Sequence, residues 1–143
     1  MVTWKTNVDT AHTVLIVSDQ PESVATWTAL FSQRNCIVLA ERKVEDAIQS
    51  ARLISPTLVL VDIDVPKEQY ASLLKGFRSV CRAPILMLIS ANSIDEILEA
   101  NRSGADECFV KPVSPAVLVV KAMAWLGHGY RTERLPQPIS ITL

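Results

Sequence analysis

Short apolar runs that end in polar residues are the feature that most limits how this chain can fold. The clearest run is residues 58–61 (LVLV), which is closed by Asp62. A continuous Val/Leu run of this kind is typical of a strand buried on both faces, as in parallel sheets. A carboxylate at the end of such a strand is costly to desolvate, so it requires a partner or a function. Asp62 is therefore the first candidate functional residue.

Length and composition predict one compact domain. The chain has 143 residues, of which 49% are hydrophobic and 20% are charged, and this balance is typical of globular proteins. A net charge of −1 gives no electrostatic footprint for nucleic acid or an anionic membrane. The three cysteines lack metal-type spacing and favour buried thiols in a reducing cytosol. Because no segment resembles a signal peptide or a membrane span, we expect a cytoplasmic protein without membrane contact.

Strand-like and helix-like segments alternate along the chain. Besides residues 58–62, apolar strand-like runs occur at residues 13–17, 36–40, 85–89 and 108–110. Each run is followed by apolar residues at helical spacing, and this gives five βα units. Such alternation predicts an α/β fold of three layers, with a parallel sheet between two layers of helices.

Capping signals mark several of the predicted helix starts. Pro21 and Pro115 suit the first position of a helix. Ser93 and Glu96 have the spacing of a capping box. In the helix that follows Ser93, we expect the inward-facing residues to be Ile94, Ile97 and Leu98.

The carboxyl ends of parallel strands share one edge of the sheet, and polar residues follow four of the five runs. They are Ser18, Asp19, Asp62, Ser90 and Lys111. Ligands of open α/β sheets bind at this edge. Carboxylate oxygens suit Mg²⁺, which uses few protein ligands, and an aspartate can act as a nucleophile that forms an aspartyl phosphate. The pattern therefore predicts a site for a divalent cation and a phosphoryl group.

Four stretches carry a resemblance to a known family. They are residues 17–21 (VSDQP), 58–66 (LVLVDIDVP), 84–91 (PILMLISA) and 104–112 (GADECFVKP). In this order and spacing they make residues 13–126 resemble the receiver domain of a two-component response regulator. The resemblance implies a flavodoxin-like sandwich with a five-stranded parallel sheet in the order 2-1-3-4-5.

The resemblance also implies roles for individual residues. Asp62 would accept a phosphoryl group from a sensor histidine kinase or a phosphotransfer protein. Asp19, Asp62 and the backbone carbonyl of Asp64 would bind Mg²⁺. Ser90 would be the switch hydroxyl, and Lys111 would pair with the phosphate and precede a cis peptide bond. Such a domain catalyses only its own phosphorylation and dephosphorylation, so we expect no enzyme with an external substrate.

Two residues depart from the family pattern. Ser18 stands where receivers usually carry the first of two acids, and a change of this kind lowers metal affinity by roughly 10–100-fold. Cys108 stands where an aromatic residue usually couples the site to the partner surface. These departures favour an alternative function, a degenerate receiver that binds partners without phosphorylation. A flavodoxin-like domain that binds a small ligand is a weaker alternative, because no Gly-rich phosphate loop follows the first strand.

The last predicted helix is apolar almost all round. Between residues 116 and 126 only Lys121 is charged. A helix of this sort is buried on more than one side, either by neighbours in the monomer or by a partner, and we favour the partner. The resemblance implies a homodimer face made by helix 4, strand 5 and helix 5. Glu99 and Lys121 differ from the charges common there, so this face would be more hydrophobic than is usual.

The predicted domain organisation has three parts. Residues 1–12 form an N-terminal extension, residues 13–126 the receiver-like domain, and residues 127–143 a linker or tail. The tail resembles the join to a winged-helix domain. We therefore expect a role in transcription regulation in which DNA is contacted only through an output domain outside this chain.

Overall fold

The computed structural model describes residues 11–127 and 141–142. Most of the predicted N-terminal extension and most of the predicted tail lie outside the described residues. The strands are β1 (His12–Ser18), β2 (Cys36–Glu41), β3 (Leu58–Asp62), β4 (Ile85–Ile89), β5 (Glu107–Val110) and β6 (Ile141–Thr142). The helices are α1 (Pro21–Ser32), α2 (Val44–Ile54), α3 (Tyr70–Arg78), α4 (Ile94–Arg102) and α5 (Pro115–Gly127), with a 3-10 turn at Lys67–Gln69 before α3.

The strands form a parallel sheet in the order β2-β1-β3-β4-β5-β6. The first five strands therefore have the predicted order 2-1-3-4-5, and the predicted fold class is confirmed. The short strand β6 extends the sheet beyond the five predicted strands. It pairs Ile141 with Cys108 and Thr142 with Phe109, so the outer edge of β5 is covered by backbone pairing.

Two apolar layers cover the sheet. One contains buried residues of α2, α3 and α4, and the other contains buried residues of α1 and α5. Strand β3 lies in the middle of the sheet, and all five of its residues are buried, including Asp62. The successive residues Cys108 and Phe109 belong to opposite layers, as the alternation of side chains along a strand requires. The apolar run at residues 58–61 is thus a strand packed on both faces.

Helix α4 begins with the predicted capping box. Glu96 Oε1 accepts hydrogen bonds from the backbone amides of Asn92, at 2.5 Å, and Ser93, at 3.2 Å. These bonds satisfy backbone donors that a helix start leaves without intrahelical acceptors. They also fix the path of the chain between the end of β4 and α4.

The predicted packing of Ile94 is wrong. Ile97 is buried and Leu98 is half-buried, but Ile94 is 58% exposed. The buried stripe of α4 runs through Ile97 and Ala100. At 3.6 residues per turn, Ile94 lies about 60° from Ile97 and about 120° from Ala100 around the helix axis. Ile94 therefore starts the helix on its solvent side.

Helix α5 has a buried face and an exposed apolar face. Leu118, Val119, Ala122 and Leu126 are buried. Val117 and Val120 are 46% and 61% exposed. In the described part of the chain, no helix is long and apolar enough to cross a bilayer.

Candidate functional site

The site lies at the carboxyl ends of the central strands. Ser18 is the last residue of β1 and Asp62 is the last residue of β3, and the two are paired in the register of these strands. Lys111 follows β5, and its backbone amide donates to the carbonyl of Ile89 at 2.9 Å. The parallel topology thus brings together residues that are 44 and 49 positions apart in the sequence.

Asp62 is buried and is hydrogen-bonded at both carboxylate oxygens. Its exposed fraction is 2%. Lys111 Nζ lies 2.6 Å from Asp62 Oδ1, and Ser18 Oγ lies 3.0 Å from Asp62 Oδ2. A buried carboxylate normally requires a cationic partner or several hydrogen-bond donors, and Asp62 has both. These contacts account for its position at the end of an apolar strand.

Lys111 reaches Asp62 from the segment after β5. Its side chain is 28% exposed, so the ammonium contacts the buried carboxylate while part of the side chain faces solvent. The peptide bond between Lys111 and Pro112 is cis, as the resemblance implies. One flexible cationic side chain at the rim of the site can approach an anion that enters from solvent.

Asp19 and Asp64 lie at the mouth of the site and are both exposed. Asp19 directly follows Ser18, and its Oδ1 accepts a hydrogen bond from Gln20 Nε2 at 3.3 Å. Asp64 follows β3 in the segment that leads to the 3-10 turn. Among the described residues, no three acidic, histidine or cysteine side chains cluster as a metal-binding group. The donor set fits Mg²⁺, which is commonly held by one or two carboxylates, water and substrate phosphate.

Ser90 directly follows β4 and is exposed. It shares the carboxyl edge of the sheet with Asp62. Within residues 11–127 the hydrogen bonds of Asp62 come from Lys111 and Ser18, and Ser90 is not among its donors. Of the predicted site residues, Lys111 contacts Asp62 directly, whereas Asp19, Asp64 and Ser90 follow the ends of β1, β3 and β4 without a hydrogen bond to Asp62 among the described residues.

Cys108 and Tyr70 occupy the apolar layer beneath this edge. Cys108 is fully buried, and burial raises the pKa of its thiol to about 12, with a smaller contribution from the Glu107 charge. Tyr70, the first residue of α3, is buried in the same apolar layer. Burial raises the pKa of its phenol to about 12, and the negative charge of Glu96 contributes to the increase. The aromatic ring of Tyr70 and the thiol of Cys108 therefore lie in the same apolar layer.

A buried carboxylate outside the predicted site is also present. Glu107 begins β5 and is 2% exposed. Its Oε1 accepts a hydrogen bond from Trp125 Nε1 at 2.8 Å, and its Oε2 lies 3.2 Å from Lys121 Nζ. Sequence reasoning missed Glu107, because the predicted strand began at Cys108 and β5 begins one residue earlier; the signal available was the single lysine in an otherwise apolar helix. The three side chains join α5 to β5.

A comparison with protein-family models identifies the family. Residues 14–123 match the model of the response regulator receiver domain. The chain belongs to this family. Receiver domains are generally not classical enzymes, and they generally bind Mg²⁺ at the site of phosphorylation. Proteins of this family are parts of two-component signalling systems.

Curated relatives are transcriptional regulators that are longer than this chain. The chain is 22% identical over 126 residues to the transcriptional regulatory protein KdpE of Mycobacterium tuberculosis, covering 88% of this chain and 56% of that protein. It is 32% identical over 132 residues to the transcriptional regulatory protein CseB of Streptomyces coelicolor, covering 87% of this chain and 56% of that protein. This receiver chain thus spans about half the length of the curated relatives that it matches.

Solved structures show the same fold. A two-component response regulator from Clostridium difficile superposes with a TM-score of 0.73 at 22% identity, covering 81% of this chain and 96% of that one. The BeF3-activated N-terminal receiver domain of Klebsiella pneumoniae RstA superposes with a TM-score of 0.70 at 26% identity, covering 80% of this chain and 98% of that one. The receiver fold is therefore supported both by sequence and by three-dimensional similarity.

Proposed function

We propose that this receiver accepts a phosphoryl group on Asp62 from the phosphohistidine of a sensor histidine kinase or a phosphotransfer protein. The observation that carries the proposal is the contact of Asp62, a buried carboxylate at the end of the central strand, with Lys111 Nζ at 2.6 Å. A carboxylate can serve as a nucleophile for phosphoryl transfer. The family match over residues 14–123 supports the same assignment.

In the transfer step, a carboxylate oxygen of Asp62 forms a bond to phosphorus while the bond between phosphorus and the donor imidazole nitrogen breaks. The electron pair stays on that nitrogen, which takes up a proton from water. The product is an acyl phosphate on Asp62. Lys111 is the cation within reach that balances the added negative charge, since hydrogen bonds between ionised partners are the stronger ones. Ser90 is the hydroxyl proposed to donate to a phosphoryl oxygen.

Mg²⁺ is proposed to bind through the carboxylates of Asp19 and Asp62 and the backbone carbonyl of Asp64. When bound, the ion supplies positive charge that lowers the repulsion between Asp62 and the phosphoryl oxygens. Asp19 is exposed, so its carboxylate can reach an ion that enters from solvent. Asp62 would be the residue that binds the ion and also accepts the phosphoryl group.

Phosphorylation is proposed to change a partner surface on α4 and α5. Val117 and Val120 are exposed on α5, and Ile94 is exposed at the start of α4. A homodimer through this face, and an output domain that contacts DNA, belong to the proposal. The domain boundaries 13–126 for the receiver and 127–143 for a linker also remain part of it.

The test is phosphorylation with acetyl phosphate and Mg²⁺, followed by intact-protein mass spectrometry. We expect a gain of one phosphoryl group in the wild-type chain and none in Asp62→Asn, which keeps the size of the side chain. Glu107→Gln is the matched control, because Glu107 is as buried as Asp62 but lies outside the site; it should label. Labelling of Asp62→Asn to the wild-type level would overturn the assignment of Asp62.

The second candidate function is a binding module that works without phosphorylation. It is favoured by the Ser18 hydroxyl on Asp62 Oδ2 and by the cysteine at position 108. Absence of labelling at saturating Mg²⁺, with partner binding equal in wild type and Asp62→Asn, would support this module over the phosphorylated switch.

A further inference from the structure

Ser18 occupies a fixed position beside Asp62. Ser18 is 2% exposed. Its hydroxyl donates to Asp62 Oδ2 at 3.0 Å, and Ser18 Oγ accepts a hydrogen bond from the backbone amide of Gln20 at 3.1 Å. Strand pairing sets this approach, because Ser18 and Asp62 are register partners in β1 and β3.

The amide of Gln20 determines which way the hydroxyl proton points. A serine hydroxyl has one donor and two acceptor lone pairs. With one lone pair taken by the Gln20 amide, and with the side chain excluded from water, Asp62 Oδ2 is the acceptor for the single proton. Ser18 is therefore a hydrogen-bond donor to the carboxylate.

This donor competes with other uses of Asp62. Oδ1 is paired with Lys111 and Oδ2 receives the Ser18 hydroxyl. A cation at Asp62, or a bond to phosphorus, needs a lone pair of the same carboxylate. A hydrogen bond to an ionised group is among the stronger ones in proteins. An ionised carboxylate has about four lone-pair sites, and Lys111 and Ser18 occupy one on each oxygen. A cation or a phosphorus atom therefore has to share the carboxylate with the Ser18 hydroxyl or displace it.

We propose that Ser18 is a positioning residue that restrains Asp62 in the resting receiver, lowering its affinity for a divalent cation and its rate of phosphorylation. This inference rests on the function proposed above. It differs from a simple loss of charge at position 18. If only the missing charge mattered, an alanine at this position would behave like serine, because both side chains are neutral. If the hydroxyl restrains Asp62, alanine and serine differ.

The test compares Ser18→Ala, Ser18→Thr and Ser18→Asp in the full chain. The first readout is Mg²⁺ affinity by isothermal titration calorimetry, with no phosphodonor present. We expect Ser18→Ala to bind Mg²⁺ about ten-fold more tightly, the factor that one hydrogen bond to a charged group carries. Ser18→Thr retains the hydroxyl and should restore the wild-type affinity. Equal affinities of Ser18→Ala and wild type, with only Ser18→Asp tighter, would overturn the restraint.

A second readout separates this inference from the proposed function. The rate of labelling by acetyl phosphate at saturating Mg²⁺ should rise in Ser18→Ala and return toward wild type in Ser18→Thr. If wild type labels but Ser18→Ala is no faster and binds Mg²⁺ no more tightly, the restraint is wrong while the proposed function stands. If no variant labels, the proposed function fails, and the calorimetric comparison still tests the restraint. Thermal unfolding of each variant verifies that it is folded.

Discussion

Lys111 and Asp62 form a 2.6 Å ion pair across 49 positions of sequence, with the carboxylate buried and the lysine partly exposed. This pair joins the segment after β5 to the end of β3. A pair of this kind acts on stability as well as on the proposed chemistry, because removal of one partner leaves the other without its charged neighbour.

Replacement of Lys111 should destabilise the fold through Asp62. We expect Lys111→Met to lower the free energy of unfolding by about 1–3 kcal/mol, since a buried carboxylate loses its charged hydrogen-bond donor. Urea unfolding measures the change. In the Asp62→Asn background the same substitution should cost much less, because the partners are coupled. Equal costs in both backgrounds would show that the ion pair does not couple the two residues.

Trp125 and Lys121 should contribute unequally to the position of α5. Both side chains contact the buried carboxylate of Glu107. The Lys121 side chain is 43% exposed, so its ion pair with Glu107 is partly open to solvent. We expect Trp125→Phe to cost about 1–2 kcal/mol, because it removes the indole donor from a buried carboxylate. Lys121→Met should cost less than about 1 kcal/mol, because partly exposed ion pairs are screened by solvent. Denaturant unfolding measures both, and a larger cost for Lys121→Met would contradict this order.

Stability should fall in alkaline solution. Burial raises the pKa of Cys108 from 9.0 to about 12 and that of Tyr70 from 10.0 to about 12. Above pH 9 the unfolded chain loses these protons first and then binds fewer protons than the folded chain. The free energy of unfolding therefore decreases as pH rises. The contribution is complete below pH 9 and is lost through about pH 12.

Urea unfolding from pH 7 to pH 11 measures this dependence. Tyr70→Phe retains the ring and removes the phenol, so it should make the decline less steep, as should Cys108→Ala. A decline of the same slope in the double variant would show that other groups cause it.

The exposed apolar face of α5 should control self-association. Val120 is 61% exposed, so Val120→Glu should leave the fold intact while placing a charge in the proposed dimer face. We expect at least about a ten-fold increase in the dimer dissociation constant, since a buried unpaired charge costs more than 1.4 kcal/mol. Sedimentation equilibrium measures it. Leu53→Glu is the matched control, because Leu53 is 81% exposed on α2. An equal effect of both substitutions would argue against the α5 face.

The sequence by itself determined the order of elements. Apolar runs at strand spacing and apolar stripes at helical spacing predict where the strands and helices lie, and Asp62 stands out because a polar residue closes such a run. The capping box at Ser93 and Glu96 is equally local, since its hydrogen bonds join residues within one helical turn. Features of this kind depend on residues that are close in sequence, so they can be predicted without knowledge of the rest of the fold.

Only the tertiary structure decided which polar groups touch. The donation from Ser18 to Asp62 depends on the β1–β3 register, and the burial of Glu107 depends on how α5 lies against β5. The exposure of Ile94 depends on which face of α4 packs against the sheet. Hydrogen bonds and ion pairs act over about 3 Å, whereas their partners here lie up to 49 residues apart. Sequence periodicity gives the face of an element, but strand register and helix orientation set these distances.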